Sequence, residues 1–151
     1  MKIHVENRQR AVPVELAWLR RFAEVAAEKC VGESADGRFA LAQLAEVEVA
    51  IVSDRVIARV HREFMGILGA TDVITFAHGE IVMSAPTAQR HAREYGHPVA
   101  HELALYTIHG LLHLNGYEDA TPRAAARMHR TQDRILHACL ARTPPPLINT
   151  P

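Results

Sequence analysis

Cysteine is scarce in this 151-residue sequence, where Cys30 and Cys139 are the only two. They are too few for a disulfide framework, and their spacing does not indicate a metal site. A reducing compartment is therefore the simplest expectation. The sequence also lacks an apolar stretch long enough to span a membrane, and its polar start, residues 1–15, lacks the apolar run of a signal peptide. We expect a soluble, cytoplasmic protein with no membrane partner.

Net charge is also absent, because 17 acidic residues balance 17 basic ones. The overall charge therefore does not indicate a nucleic-acid partner. Lysine is nearly missing as well: Lys2 and Lys29 are the only two, and arginine supplies the rest of the positive charge. Arginine makes paired hydrogen bonds to phosphate and carboxylate groups. Genomic base composition would produce the same bias, so both explanations stay open.

The chain has no internal repeat, domain linker or glycine-rich phosphate loop, and its length fits a single domain. We expect residues 1–143 to form that domain, followed by a flexible proline-rich tail at 144–151. Hydrophobic periodicity predicts both strands and helices. The expected strands are residues 2–9, 45–52, 73–76 and 81–83. The expected helices are residues 14–30, 54–66, a stretch that Pro86 opens, 99–114, and a last helix that Thr121 caps.

The helix expected from residue 54 has two stripes along it. Ser53 or Asp54 is placed to cap its start. Its buried stripe is expected to contain four apolar residues: Val56, Ile57, Val60 and Phe64. Its second stripe consists of three arginines at four- and three-residue spacing: Arg55, Arg59 and Arg62. Such a stripe is usually a solvated face, and an anion-binding role needs tertiary evidence.

Residues 109–119 read HGLLHLNGYED and carry the strongest functional signal. His109 and His113 are four residues apart, so on a helix their side chains lie on one face. Gly116 can end that helix and turn the chain back, which brings Asp119 towards the same point. Two nitrogens and one oxygen, with a position left for water, are the ligand set of a catalytic zinc rather than a structural one.

The helix that carries the two histidines is expected to be buried. Residues 99–114 are apolar on nearly every side, which is typical of a helix in the core. A lone histidine there would more often be a hydrogen-bonded core residue than a ligand. Two histidines on one face would be costly to bury without partners. A metal ion held by His109, His113 and Asp119 removes that cost.

The same spacing resembles that of metzincin proteases, whose helix carries two histidines, followed by a glycine and a third ligand. Those proteases place a glutamate directly after the first histidine, where it serves as the general base. Gly110 occupies that position here. A metal-dependent hydrolase of another substrate, peptide or small molecule, therefore remains an alternative, with the peptide version disfavoured.

A second resemblance covers most of the chain. The segment HGLLHLNGYED, with TDVITF and HGEIVMS upstream and VENRQ near the start, resembles the YbeY family of metal-dependent endoribonucleases. The resemblance implies an α+β domain in which helices pack a small mixed sheet and the metal lies at the bottom of a cleft. It also implies cleavage of single-stranded RNA in 16S rRNA 3′-end maturation and late-stage ribosome quality control. The implied partners are rRNA and the ribosome or its small subunit.

The sequence departs from the family pattern at two positions. The family usually has a third histidine where this chain has Asp119. Aspartate is a competent ligand for the expected Zn²⁺, although it also suits harder divalent ions such as Mn²⁺, and Glu118 is a weaker candidate for the same role. The family commonly has an arginine, thought to contact the phosphate, at the position of Met65. Arg62 lies one turn earlier, about 5 Å along the helix, and is the candidate replacement.

The resemblance implies a reaction in which the metal polarises a phosphate oxygen and an arginine offsets charge in the transition state. Water and the 2′-hydroxyl of the RNA are both open as the nucleophile. Four arginines are expected to hold the RNA backbone with little reading of bases: Arg55, Arg59, Arg123 and Arg127. A third hypothesis is a ribosome-associated binding factor whose metal is structural, which a fourth protein ligand would favour.

Overall fold

A four-stranded mixed sheet forms the centre of the protein in a computed structural model that describes residues 1–146. The strands are β1 (Lys2–Asn7), β2 (Glu46–Val52), β3 (Val73–Phe76) and β4 (Glu80–Ser84). They lie in the order β1-β2-β4-β3. Strands β1 and β4 run parallel to β2, and β3 runs antiparallel to β4. The register pairs Val5 with Val49, Val49 with Ile81, and Ile81 with Thr75.

The helices pack on both faces of this sheet. They are α1 (Leu16–Cys30), α2 (Ala40–Gln43), α3 (Asp54–Met65), α4 (Ala85–Tyr95), α5 (Val99–Leu114) and α6 (Pro122–Arg142). Helices α1, α5 and α6 pack together and form the main core with the sheet. Helix α3 covers part of the other face through a smaller apolar cluster around Ile57, and α4 packs against α5. The predicted α+β single domain with a small mixed sheet and a buried central helix is confirmed.

The residue patterns of the strands match their places in the sheet. Strand β2 begins with alternating exposed and buried residues and is wholly buried from Val49 onward, because its second half lies between helices on both faces. Strand β4 is buried from Ile81 to its end. At the two edges, β1 fully buries only Val5 and β3 only Ile74. The edge strand β3 is therefore free to form the wall of a surface cleft.

Local sequence signals set the ends of several elements. The hydroxyl of Ser53 at the start of α3, and that of Thr121 at the start of α6, accept a hydrogen bond from the backbone N–H three residues on, as N-cap residues do. Gly66 ends α3 in the left-handed conformation, with φ of 68°. Gly79 lies between β3 and β4 with φ of 109°, where the chain reverses between these two antiparallel strands.

Four details differ from the sequence-based expectation, and the first is that β1 ends at Asn7 rather than at residue 9. Helix α1 begins at Leu16 rather than residue 14, and the short helix α2 is not foreseen by the hydrophobic pattern. The expected buried stripe of α3 is wrong at Phe64, which is 67% exposed. Phe64 lies in the last turn of α3, beside the end of the edge strand β3. There the ring of Phe76 packs against it edge-on, with ring centroids 5.4 Å apart.

The predicted domain boundary lies one residue beyond α6, which ends at Arg142. Residues 144–146 of the predicted tail form no helix or strand, and residues 147–151 lie outside the described part of the chain. The division into a domain and a flexible tail stays a prediction. Within residues 1–146, no helix combines the length and the apolar character needed to cross a membrane.

One buried amide fixes the end of α5. Asn115 directly follows this helix and has no exposed surface. Its side-chain oxygen accepts a hydrogen bond from the Leu41 N–H at 3.2 Å. Its side-chain N–H groups donate to the carbonyl oxygens of Cys30 at 2.8 Å and Glu33 at 3.1 Å. A single residue therefore joins α5 to the end of α1, to the loop after it and to α2.

Replacing Asn115 with alanine is expected to lower the free energy of unfolding by about 2–4 kcal/mol, because buried backbone groups lose their hydrogen-bond partners. Urea unfolding followed by circular dichroism measures this change. Gln43→Ala is a matched control, since this exposed amide bonds one carbonyl, that of Arg38, and its loss should cost less than about 0.5 kcal/mol. Equal losses for the two variants would contradict the role given to Asn115.

Candidate metal centre

Helix α5 lies very close to the sheet at one point. Gly110 is buried there, and a Cβ atom added to it would lie 2.7–2.9 Å from side-chain atoms of Ile81 in β4. A larger residue would force these Ile81 atoms to shift, so glycine permits the close approach. Neighbouring residues on a helix point about 100° apart. With Gly110 against the sheet, His109 and His113 therefore face sideways, where the structure opens into a cleft.

The two histidines direct their Nε2 atoms at each other across 3.0 Å. Nδ1 of His113 lies 2.9 Å from the backbone carbonyl oxygen of Tyr117, and Nδ1 of His109 lies 2.7 Å from the side-chain oxygen of Gln132 in α6. A carbonyl oxygen only accepts hydrogen bonds, so each neutral ring carries its proton on Nδ1 and donates it. Each Nε2 then presents a lone pair to the same point, which is how histidine ligands of a metal are oriented.

The turn after α5 brings a carboxylate to the same point. Gly116 has φ of 94°, and a Cβ atom there would lie 2.7–2.9 Å from the carboxylate atoms of Asp36. The reversal of the chain therefore depends on glycine. Beyond the reversal, Oδ2 of Asp119 lies 3.6 Å from Nε2 of both His109 and His113. The three predicted ligands are thus brought together, whereas Glu118 lines the cleft beside them.

The three donor atoms fit a single divalent ion. They are 3.0, 3.6 and 3.6 Å apart, and a tetrahedral zinc with bonds of about 2.1 Å would separate its ligands by roughly 3.4 Å. Burial lowers the pKa of His109, which favours the neutral form that binds metal. Within residues 1–146 the possible ligand cluster consists of these three residues. Three protein ligands leave a position for water or substrate, unlike the closed set of a structural zinc.

The ligands lie in an open cleft of about 510 Å³. One wall is the edge strand β3 with its flanking residues, and the others come from α3 and from the segment after α5. The lining includes three acidic residues, Asp72, Glu118 and Asp119, and no arginine or lysine. Such a lining attracts a cation and repels a phosphate group. An anionic ligand would therefore need a bound cation, or cationic side chains from outside this lining, to occupy the cleft.

Arg62, the candidate catalytic arginine, lies outside this cleft. It lines a neighbouring depression of about 380 Å³ together with Arg55 and Arg59. The side chains of α3 that line the metal cleft are those of His61 and Met65. The structure therefore does not bring Arg62 to the metal ligands, and its role in catalysis stays a prediction.

The two arginines of α6 that were predicted to bind RNA differ in their surroundings. Arg123 is exposed in the first turn of the helix. Arg127 lies over the ring of Tyr117, 5.4 Å from its centroid, and donates a hydrogen bond to the backbone carbonyl of Ala35 at 3.2 Å. Arg127 therefore stabilises the turn after α5, and a role for it in RNA binding stays a prediction.

Sequence spacing does not reveal the groups that orient the histidines. Gln132 lies 23 residues after His109, and only the packing of α6 against α5 brings the two together. Tyr117 acts through its backbone carbonyl, which has no sequence signature. One signal was available for Gln132, because the apolar pattern of α6 places it on the buried side of the helix. A buried polar side chain needs a hydrogen-bond partner.

Comparison with known proteins identifies the family. A family model described as Endoribonuclease YbeY matches residues 4–139. The chain belongs to the YbeY endoribonuclease family. A relative from Moorella thermoacetica, named Endoribonuclease YbeY, is 36% identical in an alignment 160 positions long that spans 90% of this chain and 96% of the relative. Another of that name, from Desulforamulus reducens, is 40% identical in an alignment 108 positions long that spans 61% of this chain and 71% of the relative.

A solved structure has the same fold. The solution structure of a protein from Thermotoga maritima matches with a TM-score of 0.63 and covers 93% of this chain and 90% of its own, at 23% identity. The family model and the named relatives confirm the family expected from the sequence motifs. The protease alternative loses support, because a residue at position 110 would face Ile81 in the sheet rather than the cleft.

Replacing Gln132 with leucine is expected to weaken divalent-metal binding about 10- to 100-fold, because the Nδ1–H of His109 loses the acceptor that orients the ring. Competition with a chelating dye measures the dissociation constant. Gln132→Glu is the control, since it keeps an oxygen acceptor at the same place and should retain most of the affinity. Metal binding by Gln132→Leu at the strength of the unaltered protein would show that the hydrogen bond is dispensable.

Proposed function

We propose that this protein is a metal-dependent endoribonuclease that cuts single-stranded RNA in 16S rRNA 3′-end maturation and late-stage ribosome quality control. The observation that carries the proposal is the convergence of His109, His113 and Asp119 in an open cleft. The family to which the chain belongs supports nuclease activity. The ribosomal substrate, a cytoplasmic location and the ribosome or its small subunit as partner are supported by the resemblance of the sequence motifs.

The proposed cofactor is one Zn²⁺ ion. Two imidazole nitrogens and one carboxylate oxygen are ligands that zinc accepts readily, and the third position of a catalytic site is often a carboxylate. The oxygen of Asp119 makes the site harder than one with three histidines, so Mn²⁺ or another divalent ion is a second candidate. Metal analysis of the purified protein distinguishes these ions.

The residues of the chain prepare the cleft for phosphodiester cleavage. Gln132 and the Tyr117 carbonyl hold the protons of both imidazoles on Nδ1, so that neither ring has to rearrange. A divalent ion held by the three ligands supplies Lewis-acid polarisation of a phosphate oxygen and makes water more acidic. The open cleft admits a flexible strand alongside β3. Water and the 2′-hydroxyl of the RNA both remain compatible with this arrangement.

Binding of the RNA backbone falls to arginines near the cleft. Arg55 and Arg59 line the depression next to it, and Arg123 is exposed at the start of α6. Arg62 is proposed to offset charge in the transition state, which requires its long side chain to extend from the depression towards the cleft. Cationic contacts of this kind bind phosphates without reading bases.

The two alternative functions have weaker support. A peptidase of the metzincin kind needs a general base after the first histidine, and Gly110 leaves no room for one beside Ile81. A binding factor with a structural metal is expected to close the site with a fourth protein ligand. The cluster within the described residues has three.

The direct test is incubation of the metal-loaded protein with a labelled single-stranded RNA and with the same sequence as a duplex. We expect cleavage of the single strand and little cleavage of the duplex. His113→Ala should lower the rate at least about 100-fold, because it removes one of three ligands. Gel analysis of the products measures both effects.

His137→Ala is the matched control, because His137 is an exposed histidine of α6 outside the cleft lining, and its cleavage rate should be unchanged. Equal cleavage by the unaltered protein and His113→Ala would indicate a contaminating nuclease and would refute the assignment. The ribosomal part of the proposal is tested separately, by mapping 16S rRNA 3′ ends in cells that carry only the His113→Ala variant. Fully mature 16S rRNA 3′ ends in those cells would refute the ribosomal part of the proposal.

Arg123→Glu is expected to weaken RNA binding, and more strongly at low salt, because one phosphate contact is lost. The slope of log K against log salt concentration should become shallower by about 0.7. Filter binding at several salt concentrations measures it. Arg10→Glu is the control, since Arg10 is exposed after β1, the edge strand farthest from β3, and its slope should be unaltered. Identical slopes for all three proteins would exclude Arg123 from the binding surface.

A further inference from the structure

The end of α3 and the loop after it expose apolar surface that the fold itself does not use. Four large side chains within five residues are exposed: Phe64 (67%), Met65 (53%), Ile67 (48%) and Leu68 (82%). Single exposed apolar residues are ordinary in proteins, whereas a contiguous group of them marks a binding surface. We call residues 64–68 the apolar patch.

Backbone hydrogen bonds hold the apolar patch in place. The Gly66 N–H donates to the Arg62 carbonyl at 3.0 Å, and the Ile67 N–H donates to the His61 carbonyl at 3.3 Å. The ring Nδ1–H of His61 donates to the Gly69 carbonyl, also at 3.0 Å. The apolar side chains are therefore presented by a fixed loop, which reduces the conformational entropy lost when a ligand binds.

The apolar patch joins the metal cleft to the arginine-lined depression. Met65 belongs to the lining of the cleft, and Leu68 belongs to that of the depression. Phe64 stands beside Phe76, the last residue of the edge strand β3. A ligand that occupies both the cleft and the depression must therefore pass over this patch.

The charges of the depression indicate what kind of ligand this is. Its lining contains the guanidinium groups of Arg55, Arg59 and Arg62 and no carboxylate. Along the helix axis these residues are about 6 and 4.5 Å apart, so they can contact successive anionic groups. A ligand with regularly spaced negative charges and flat apolar groups suits a surface of adjoining arginines and apolar side chains. Single-stranded nucleic acid has both features.

We propose that the apolar patch is a base-contacting subsite for the RNA substrate, where Phe64 and Leu68 pack against nucleobases on one side of the scissile phosphate. The inference rests on the proposed function. It adds contacts to RNA bases, whereas the proposed function includes only contacts to phosphates. Arg55 and Arg59 hold the phosphates of the same nucleotides. Bases stack on aromatic rings with little regard to sequence, so the subsite places the strand without selecting its sequence.

Single-turnover cleavage of a short single-stranded RNA at rising protein concentrations tests this role, because it separates the half-saturating concentration from the maximal rate. Phe64→Ala is expected to raise the half-saturating concentration about 5- to 100-fold, with a much smaller effect on the maximal rate. Phe64→Trp should restore the unaltered value. Tyr95→Ala is the matched control, since Tyr95 is an aromatic residue of α4 with similar exposure, 65%, and it should change nothing.

Removal of single bases from the RNA provides the second half of the test. In the unaltered protein, an abasic nucleotide at one or two positions on one side of the cut should raise the half-saturating protein concentration. The same nucleotide should have no further effect on Phe64→Ala, because the contact is already lost. Independent, additive effects of the abasic nucleotide and the substitution at every position would overturn the proposal.

The outcomes separate this inference from the proposed function. RNA that is neither bound nor cut by the unaltered protein would remove both. Normal cleavage, with Phe64→Ala saturating at the unaltered concentration, would remove only the subsite. Self-association that Phe64→Ala abolishes, with RNA affinity unchanged, would assign the apolar patch to contact with a second copy and would also overturn the proposal. Thermal unfolding of each variant confirms that its fold is intact.

Discussion

The close contact between Gly110 and Ile81 sets the rotation of α5, and the metal centre depends on that rotation. The glycine allows the helix to lie directly on β4. One face of α5 therefore packs on the sheet, and the adjacent face, which carries His109 and His113, is turned towards the cleft. Because of the same contact, a side chain at position 110 would face Ile81 and could not serve as a general base in the cleft. The contact between Gly110 and Ile81 therefore positions the two histidines and also disfavours a protease-like reaction.

The supporting contacts of the metal centre come from parts of the chain that are distant in sequence. Asn115 ties the end of α5 to α1 and α2 through buried hydrogen bonds, which fixes the point where the chain reverses towards Asp119. Gln132, from α6, and the Tyr117 carbonyl set the tautomers of the two histidines. Since two lone pairs facing each other across 3.0 Å repel, this arrangement is suited to a cation shared by both rings.

Charge is divided between the cleft and its surroundings. The cleft has carboxylates at Asp72, Glu118 and Asp119, which favour a metal ion, while the arginines of α3 lie in a separate depression. The exposed apolar residues 64–68 connect the two regions. An RNA strand would therefore meet three different kinds of surface, namely a metal site, an apolar patch and a group of cations. Affinity and chemistry can then be altered by separate substitutions.

The sequence by itself determined the elements and the candidate ligands, because these depend on local periodicity and spacing. A window of a few residues is enough to predict the two histidines four residues apart, the turn at Gly116 and the caps at Ser53 and Thr121. The structure contains all of these features. Family membership followed from the motifs that contain them. The short helix α2 was missed because four residues give too little periodicity.

Only the tertiary structure decided which surfaces these elements share. Phe64 fits the apolar stripe of α3 in sequence, but it lies beside the end of the edge strand β3 and is exposed. Arg62, the candidate replacement for the arginine expected at Met65, lines a different depression from the one that contains the candidate ligands. Gln132 reaches His109 only because α6 packs across α5. Contacts between elements depend on how the helices and the sheet pack. The spacing of residues within one element does not predict that packing.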